Sequence, residues 1–463
     1  MKKRLLASFL SIMMVLTLLP ATAMAEGNPN VAKIGNQEYA TLEAAVNSIN
    51  DDTPTTIELL SNAEGNGIVI PSGRNIIFDL KTFTYTISGN TVGSTGTETN
   101  GFQLLKDSTI TFQNGTIQSD KAALLIQNYC DLTLNNMTLL CSRDIVCSNN
   151  HGTVVINDTE ITNTGNGAAF DVYSFGSYTG ANVTVKGNSE INGDIQVGYD
   201  AKANTSSLKL LIESGSIKGD IVKSGQANND FLKENVTISG GTFSSNVSEY
   251  LPDDKGQNAQ GEVGALGPGF ATAQIGETYY NTLAKAINAA NDNDVVTLLK
   301  PTTEGKITIN NGKTFTLDLG GFELKAYADL YSGFVTVKNG TFGGYSQTFN
   351  VYTSDDESLA AGAYNSLTIA EDVTIGSNGK NYGIILRENQ TDKRSGYGSK
   401  IDVYGTINDN IWVMGNMKEG NSEINVHNGA KVIVTDDGAG IALQGAAKLT
   451  VDGYVKGGTG IEN

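Results

Sequence analysis

Residues 41–60 read TLEAAVNSINDDTPTTIELL, and residues 282–299 read TLAKAINAANDNDVVTLL. In the first stretch Leu42, Ala45, Val46 and Ile49 fall at i, i+3, i+4 and i+7, one apolar stripe on a short helix. Leu283, Ala286, Ile287 and Ala290 repeat that stripe. Thr41 and Thr282 stand where an N-cap accepts first-turn amides, and an Asn/Asp cluster ends each helix. A β-branched strand follows at once. A small amphipathic helix leading directly into many short strands suits the end of a stacked β-coil, whose terminal rung would otherwise expose apolar side chains and unpaired backbone. Each helix is therefore expected to be a cap.

The echo continues outward from the caps. Residues 73–83, GRNIIFDLKTF, match residues 312–322, GKTFTLDLGGF, and the Asn-Gly-Thr-Ile at 114–117 matches the Asn-Gly-Thr-Phe at 339–342. Two homologous units lie in tandem.

Between the caps one phrase recurs: alternating β-formers, a small or Asn/Gly turn, then another short apolar pair. It appears as STITFQNGTI (108–117), DLTLNNMTL (131–139), TVVINDTEI (153–161), NVTVKGNSEI (182–191), LKLLIESGSI (208–217) and NVTISGGTF (235–243). The turns recur every 21 to 30 residues, which suits one full turn of a parallel β-helix with loops of variable length. Stacked about 4.8 Å apart, such rungs would align Asn114, Asn135 and Asn157 as a ladder. Asn tolerates the left-handed corner, and Gly115, Gly187 and Gly240 tolerate it better. The second unit repeats the phrase with longer excursions, from FTLDLGGFEL (315–324) to KLTVDGYV (448–455).

The ends and composition bound the reading. Lys2, Lys3 and Arg4, an apolar run at 5–19 and Ala23-Met24-Ala25 form a secretory leader, so residues 1–25 are expected to be removed. With those three cations gone the formal charge moves from −18 to −21. Such acidity argues against nucleic acid and anionic membrane surfaces, and no later run is apolar enough for membrane insertion. Cys130, Cys141 and Cys147 are spaced 11 and 6 apart, without a CxxC pattern, and read as buried structural thiols, with one bridge left open. Residues 252–269, PDDKGQNAQGEVGALGPG, lack periodicity. They place a linker at 255–270 between a first unit, 26–254, and a second, 271–463. The chain stops after a strand-like phrase, so the second unit is expected to be incomplete or protected by a further element.

The cap phrase, the rung GKTFTLDLGGFEL (312–324) and the close ISGGTFSSNVSEYL (238–251) resemble the pectate-lyase-like, right-handed parallel β-helix domains of secreted gut Firmicutes proteins. The resemblance covers nearly all of residues 31–463. It implies an all-β fold of two tandem right-handed parallel β-helix (solenoid) units, each opened by a capping helix. It implies no single activity, because this coil hosts lyases, hydrolases and adhesins.

A lyase on such a coil needs a carboxylate cluster for Ca²⁺ and a nearby Arg or Lys. Asp436-Asp437 and the acidic run at 355–357 are the densest acidic groups, and both read as solvated loops. Hydrolases of the polygalacturonase type resemble one another in Asn-Thr-Asp, Asp-Asp, Gly-His-Gly and Arg-Ile-Lys segments, of which only Asp436-Asp437 is present. The two histidines, His151 and His427, read as surface turn residues, so a His-based metal centre or triad is not expected.

Aromatic loops are more suggestive. Tyr173, Phe175 and Tyr178 share one segment, while Tyr327, Tyr331, Tyr345, Phe349, Tyr352 and Tyr364 crowd one region of the second unit. Tyrosines give rigid amphipathic area for sugar rings or a protein interface; the plainer reading is that they pack loops onto the coil. The basic stretch RENQTDKRSGYGSK (387–400) adds Arg387 and Arg394, which could meet an anionic partner or merely decorate a loop tip. The chain is thus expected to be a secreted or surface-displayed, adhesin-like, non-enzymatic protein that engages glycans or host glycoproteins. The rivals are a polysaccharide lyase or glycoside hydrolase acting on an acidic plant or mucosal glycan, and a structural spacer. No cofactor is expected, although acidic loops could take Ca²⁺ without catalytic purpose.

Overall fold

The computed structural model describes residues 30–352, 365–376, 382–387, 399–414, 422–435, 437–444 and 447–462. The stretch read as a leader at 1–25, the acidic run at 355–357, Tyr364, Arg394 and Asp436 lie outside them.

The caps form as their spacing predicts. Thr41 Oγ1 accepts the Ala44 amide at 3.0 Å and opens helix α1, Leu42–Asn47, which buries Leu42, Ala45 and Val46. Helix α2, Asn229–Asn235, is capped by Asn228 and has no counterpart in the sequence reading. Thr282 Oγ1 accepts the Lys285 amide at 3.2 Å and opens α3, Leu283–Ala289, with Leu283, Ala286 and Ile287 buried.

Beside each cap lies an antiparallel hairpin that hydrophobic spacing did not reveal. Ala32–Ile34 pairs with Gln37–Tyr39 and then with Thr55–Leu59; Ala273–Ile275 pairs with Thr278–Tyr280 and with Val295–Leu298. The turns are only two residues long, with Gly35 at φ +57° and Gly276 at φ +56° in the left-handed region.

Beyond the caps the chain is all-β with parallel sheets. From Ile145 to Ile217 each strand pairs in parallel with the one three places further along, so three ladders surround one core. Along one ladder Ile57, Phe78, Phe112, Leu134, Ile156, Val185, Ile212 and Ile238 stand in register, none more than 1% exposed. Phe78 and Phe112 stack at 4.7 Å. The second half has its own core, with Val296, Leu317, Val337, Ile369, Val403 and Val426 in register. In each half one continuous apolar cluster, to which successive strands contribute, supplies the core.

The corners correct one detail. Register sets Gln113 against Asn135 and Asn135 against Asn157, so Asn114 aligns with Asn136 instead. The left-handed corner is occupied by Asn114, Asn136, Asp158 and Gly187, at φ +61°, +55°, +48° and +66°. Asn136 Nδ2 donates to Asn114 Oδ1 at 3.2 Å, and one place earlier Asn157 Nδ2 donates to Asn135 Oδ1 at 2.8 Å. The expected single ladder is therefore two adjacent ones. Gly115 and Gly240 serve close approach rather than handedness: a Cβ at Gly115 would lie 2.5 Å from Leu80 Cβ, and one at Gly240 2.3 Å from Glu213 O.

The stretch read as a linker contains a second kind of cover. Lys255–Gln257 and Glu262–Ala265 pair antiparallel, and Glu262–Ala265 pairs with Gly241–Phe243 at the end of the first half. Side chains tie the halves together across it. Asn281 Nδ2 donates to Pro252 O at 2.9 Å and Asn246 Nδ2 to Thr303 O at 3.2 Å, while the Lys300 ammonium donates to Gln257 O and Phe270 O. Cys130, Cys141 and Cys147 are buried free thiols, as their spacing suggests, and burial pushes Cys130 up to about 12. Among the described residues no helix is long and apolar enough to cross a membrane.

Candidate functional site

In the second half one ladder carries Lys306, then strands Glu323–Lys338, Gln347–Tyr352, Tyr382–Arg387 and Asn410–Val413. Side chains alternate along each strand. Ala328, Leu330, Phe349, Val351, Ile384, Leu386 and Ile411 join the core, so Asp329, Tyr331, Asn350, Tyr352, Arg387 and Trp412 share the opposite face. Register aligns Asp329, Asn350, Ile385 and Trp412 in one row and sets Tyr352 beside Arg387.

Asp329 is the hub of this face. Its carboxylate pairs with Lys306 at 2.7 Å, accepts Asn350 Nδ2 at 2.7 Å and accepts the Tyr331 hydroxyl at 3.3 Å. Tyr331 and Tyr352 stack with ring centres 4.4 Å apart and 14° between planes, and the Lys306 ammonium lies 5.9 Å from the Tyr331 ring. Arg387 Nη2 donates to Gln347 Oε1 at 3.0 Å, so its guanidinium meets a neutral partner there. Further along, Tyr382 stacks on Trp412 at 5.0 Å. Tyr327 meets Tyr345 edge-on at 5.8 Å, and the Tyr345 hydroxyl donates to Glu304 O at 3.1 Å.

The electrostatics suit binding better than proton transfer. The hydrogen bond to Asp329 holds the Lys306 ammonium above its ordinary range. Burial, with the Asp329 carboxylate second, pushes the Tyr352 phenol up to about 12. The lysine stays charged and the phenol neutral near neutral pH. Buried atoms without hydrogen-bond partners also gather here: Thr348 Oγ1, Asn350 Oδ1, Arg387 Nε, Asn410 Oδ1 and Trp412 Nε1, on three neighbouring rungs. Such groups are rare in native folds and point to strain or to a functional surface.

Five of the residues singled out by sequence, Tyr327, Tyr331, Tyr345, Tyr352 and Arg387, are thus brought into one region. Tyr173 and Tyr178 are not. Tyr173 lies in the first half with its hydroxyl donated to Asp200 at 2.6 Å, and Tyr178 stacks on buried Tyr129 at 4.6 Å, so both tie loops to the strands beside them. Lys306, Asp329, Asn350, Tyr382 and Trp412 escaped the sequence reading. A signal existed in Asp329-Leu330-Tyr331 and Asn350-Val351-Tyr352, which repeat acceptor, apolar and tyrosine one rung apart.

His427 opens a turn, its carbonyl accepting the Ala430 amide at 3.0 Å, and its half-buried ring is paired there. Its Nε2 lies 3.0 Å from Asp402 Oδ1, its ring stacks on Tyr404 at 4.0 Å, and Lys400 pairs with Asp402 at 2.8 Å. Burial pushes the Asp402 carboxyl up, but Lys400, His427 and Asn425 together hold it below its ordinary value. The dyad is fixed by rung stacking, because Val403 and Val426 are in register beneath it. Among the described residues no group of three or more His, Cys, Asp and Glu side chains could hold a metal ion.

In comparisons with known proteins, no family model matches the chain, and no curated protein or solved structure matches it.

Proposed function

We propose that the chain is an adhesin-like, non-enzymatic module whose second half binds glycans along the face built by Asp329, Tyr331, Asn350, Tyr352 and Arg387. The observation that carries this reading is the parallel Tyr331–Tyr352 pair beside a fully engaged carboxylate. Aromatic rings offer flat area for the apolar faces of sugars, while the half-buried Arg387 guanidinium offers donors for hydroxyls, and the buried Asn350 holds Asp329 in place. Successive rungs, about 4.8 Å apart, would present these groups in a line suited to an extended ligand. In this proposal each half is a right-handed parallel β-helix, akin to the pectate-lyase-like domains of secreted proteins, and the parallel ladders and duplicated caps support that. The leader sequence supports export to the cell surface or beyond.

Incubation of the mature chain with plant, microbial and mucin glycans, with and without Ca²⁺, separates the readings. Saturable retention of glycan without new reducing ends or unsaturated products is the expected result. Release of either product would replace binding with hydrolysis or lyase chemistry.

A further inference from the structure

A cleft of about 360 Å³ opens where the halves meet, within the range of about 300–1,000 Å³ common to small-ligand sites. Lys233 and Glu249 line it from the first half, and Lys285, Glu304 and Lys306 from the second. Three lysines and two glutamates line this one cleft in a protein of net charge −18. Two of the three lysines have exposed partners, whereas Lys306 is held at 2.7 Å by the buried Asp329 carboxylate. Asp253, which pairs with Lys285 at 2.8 Å, has a side chain 92% exposed, and Lys233 meets Glu249 at 3.4 Å, also on the surface. Exposed pairs of this kind contribute little; Lys285, whose ammonium also donates to Asn281 Oδ1 at 2.9 Å, keeps one further donor, and Lys233 keeps two. The Glu304 carboxylate is occupied otherwise, accepting the Leu283 backbone amide at 2.7 Å.

We infer that this cleft binds the tetrahedral oxyanion of a sulfate or phosphate ester carried by a saccharide. Planar carboxylates are best matched by the arginine fork, whereas lysines act as compact point charges around an oxyanion. The lining has lysines and no arginine. Lys306 belongs both to the cleft and, through Asp329, to the aromatic face. A glycan lying on Tyr331 and Tyr352 would deliver an esterified residue to the cleft, so the inference rests on the glycan-binding reading.

The test is calorimetric titration of the mature chain with galactose 6-sulfate, galactose 6-phosphate, galacturonate and galactose, alongside a neutral oligosaccharide. The esters are expected to bind roughly tenfold tighter than galactose, as charge-assisted hydrogen bonds imply, and tighter than galacturonate, whose planar carboxylate suits the arginine fork this lining lacks. The tighter of the two esters names the source. Lys233→Gln and Lys285→Gln should each erode that preference, while Tyr352→Ala should keep it and weaken only the oligosaccharide. Equal binding of all four monosaccharides, or a preference that survives both lysine substitutions, overturns the inference; the wild-type comparison decides alone should a variant not fold. Ester binding without oligosaccharide binding would uphold the cleft and remove the aromatic face from the account. The reverse pattern would do the opposite.

Discussion

Tyr331 and Tyr352 stack at 4.4 Å one rung apart, with the Tyr331 hydroxyl donating to the Asp329 carboxylate. The stack is held from beneath by Leu330 and Val351, which are in register and buried. Replacing Tyr352 with alanine therefore removes a half-buried aromatic surface more than a core contact. The expected cost is about 1–3 kcal/mol in glycan affinity and under about 1.5 kcal/mol in folding stability. Parallel calorimetry and denaturant titration check both, and a larger loss in stability than in affinity would make the ring structural.

The interior offers a sharper stability test. Phe112 is fully buried, stacks on Phe78 at 4.7 Å and meets Phe102 edge-on at 5.2 Å. Phe112→Ala should leave a cavity and cost about 3–5 kcal/mol, measured by urea unfolding. A cost below about 1 kcal/mol would mean that the stacked core is not packed as described.

Asp171 predicts a pH dependence. Burial pushes its carboxyl up to about 7, against hydrogen bonds from the Asn149 amide at 2.7 Å and the Ser148 hydroxyl at 3.0 Å. An unfolded aspartate titrates near 3.9, so the folded state holds the proton more tightly. This contribution to stability is fully present below about pH 4, falls as pH rises toward 7, and has gone above it, a loss of at most about 4 kcal/mol. Asp171→Asn should gain on the wild type in melting temperature between pH 4 and pH 8. A difference that stays constant with pH would show that Asp171 is solvated.

The corner residues give a backbone prediction. Asn136 sits at φ +55° and donates its side-chain amide to Asn114. Asn136→Ala should destabilise by about 1–2 kcal/mol for the left-handed conformation and a further ~1 kcal/mol for the lost bond. Asn136→Gly should lose only the second part. Equal costs for the two substitutions would assign the whole effect to the hydrogen bond.

These residues also show what a single sequence can and cannot reveal. The caps were legible because Thr41, Leu42, Ala45 and Val46 interact within one or two helical turns, where spacing alone carries the geometry. The inward residues were legible because strand alternation is equally local. Asparagine register was misjudged by one place, since turns of similar composition hide which residue faces which rung. Asp329 with Lys306, and His427 with Asp402, lie 23 and 25 residues apart. Loops of variable length intervene, so no fixed period points from one partner to the other. The tyrosines stood out by density, but only the ladders separate Tyr331 and Tyr352, which share a face, from Tyr173 and Tyr178, which hold loops.

The central claim is that the second half binds glycans through one aromatic and polar face. Its most direct test is a glycan array probed with the mature chain and with the Tyr331→Ala/Tyr352→Ala double variant, after circular dichroism shows that both are folded. The account predicts a defined set of glycans bound by the wild type and lost, by roughly tenfold or more, in the variant. An unchanged binding pattern in the folded variant, or no glycan bound by the wild type at all, would contradict it.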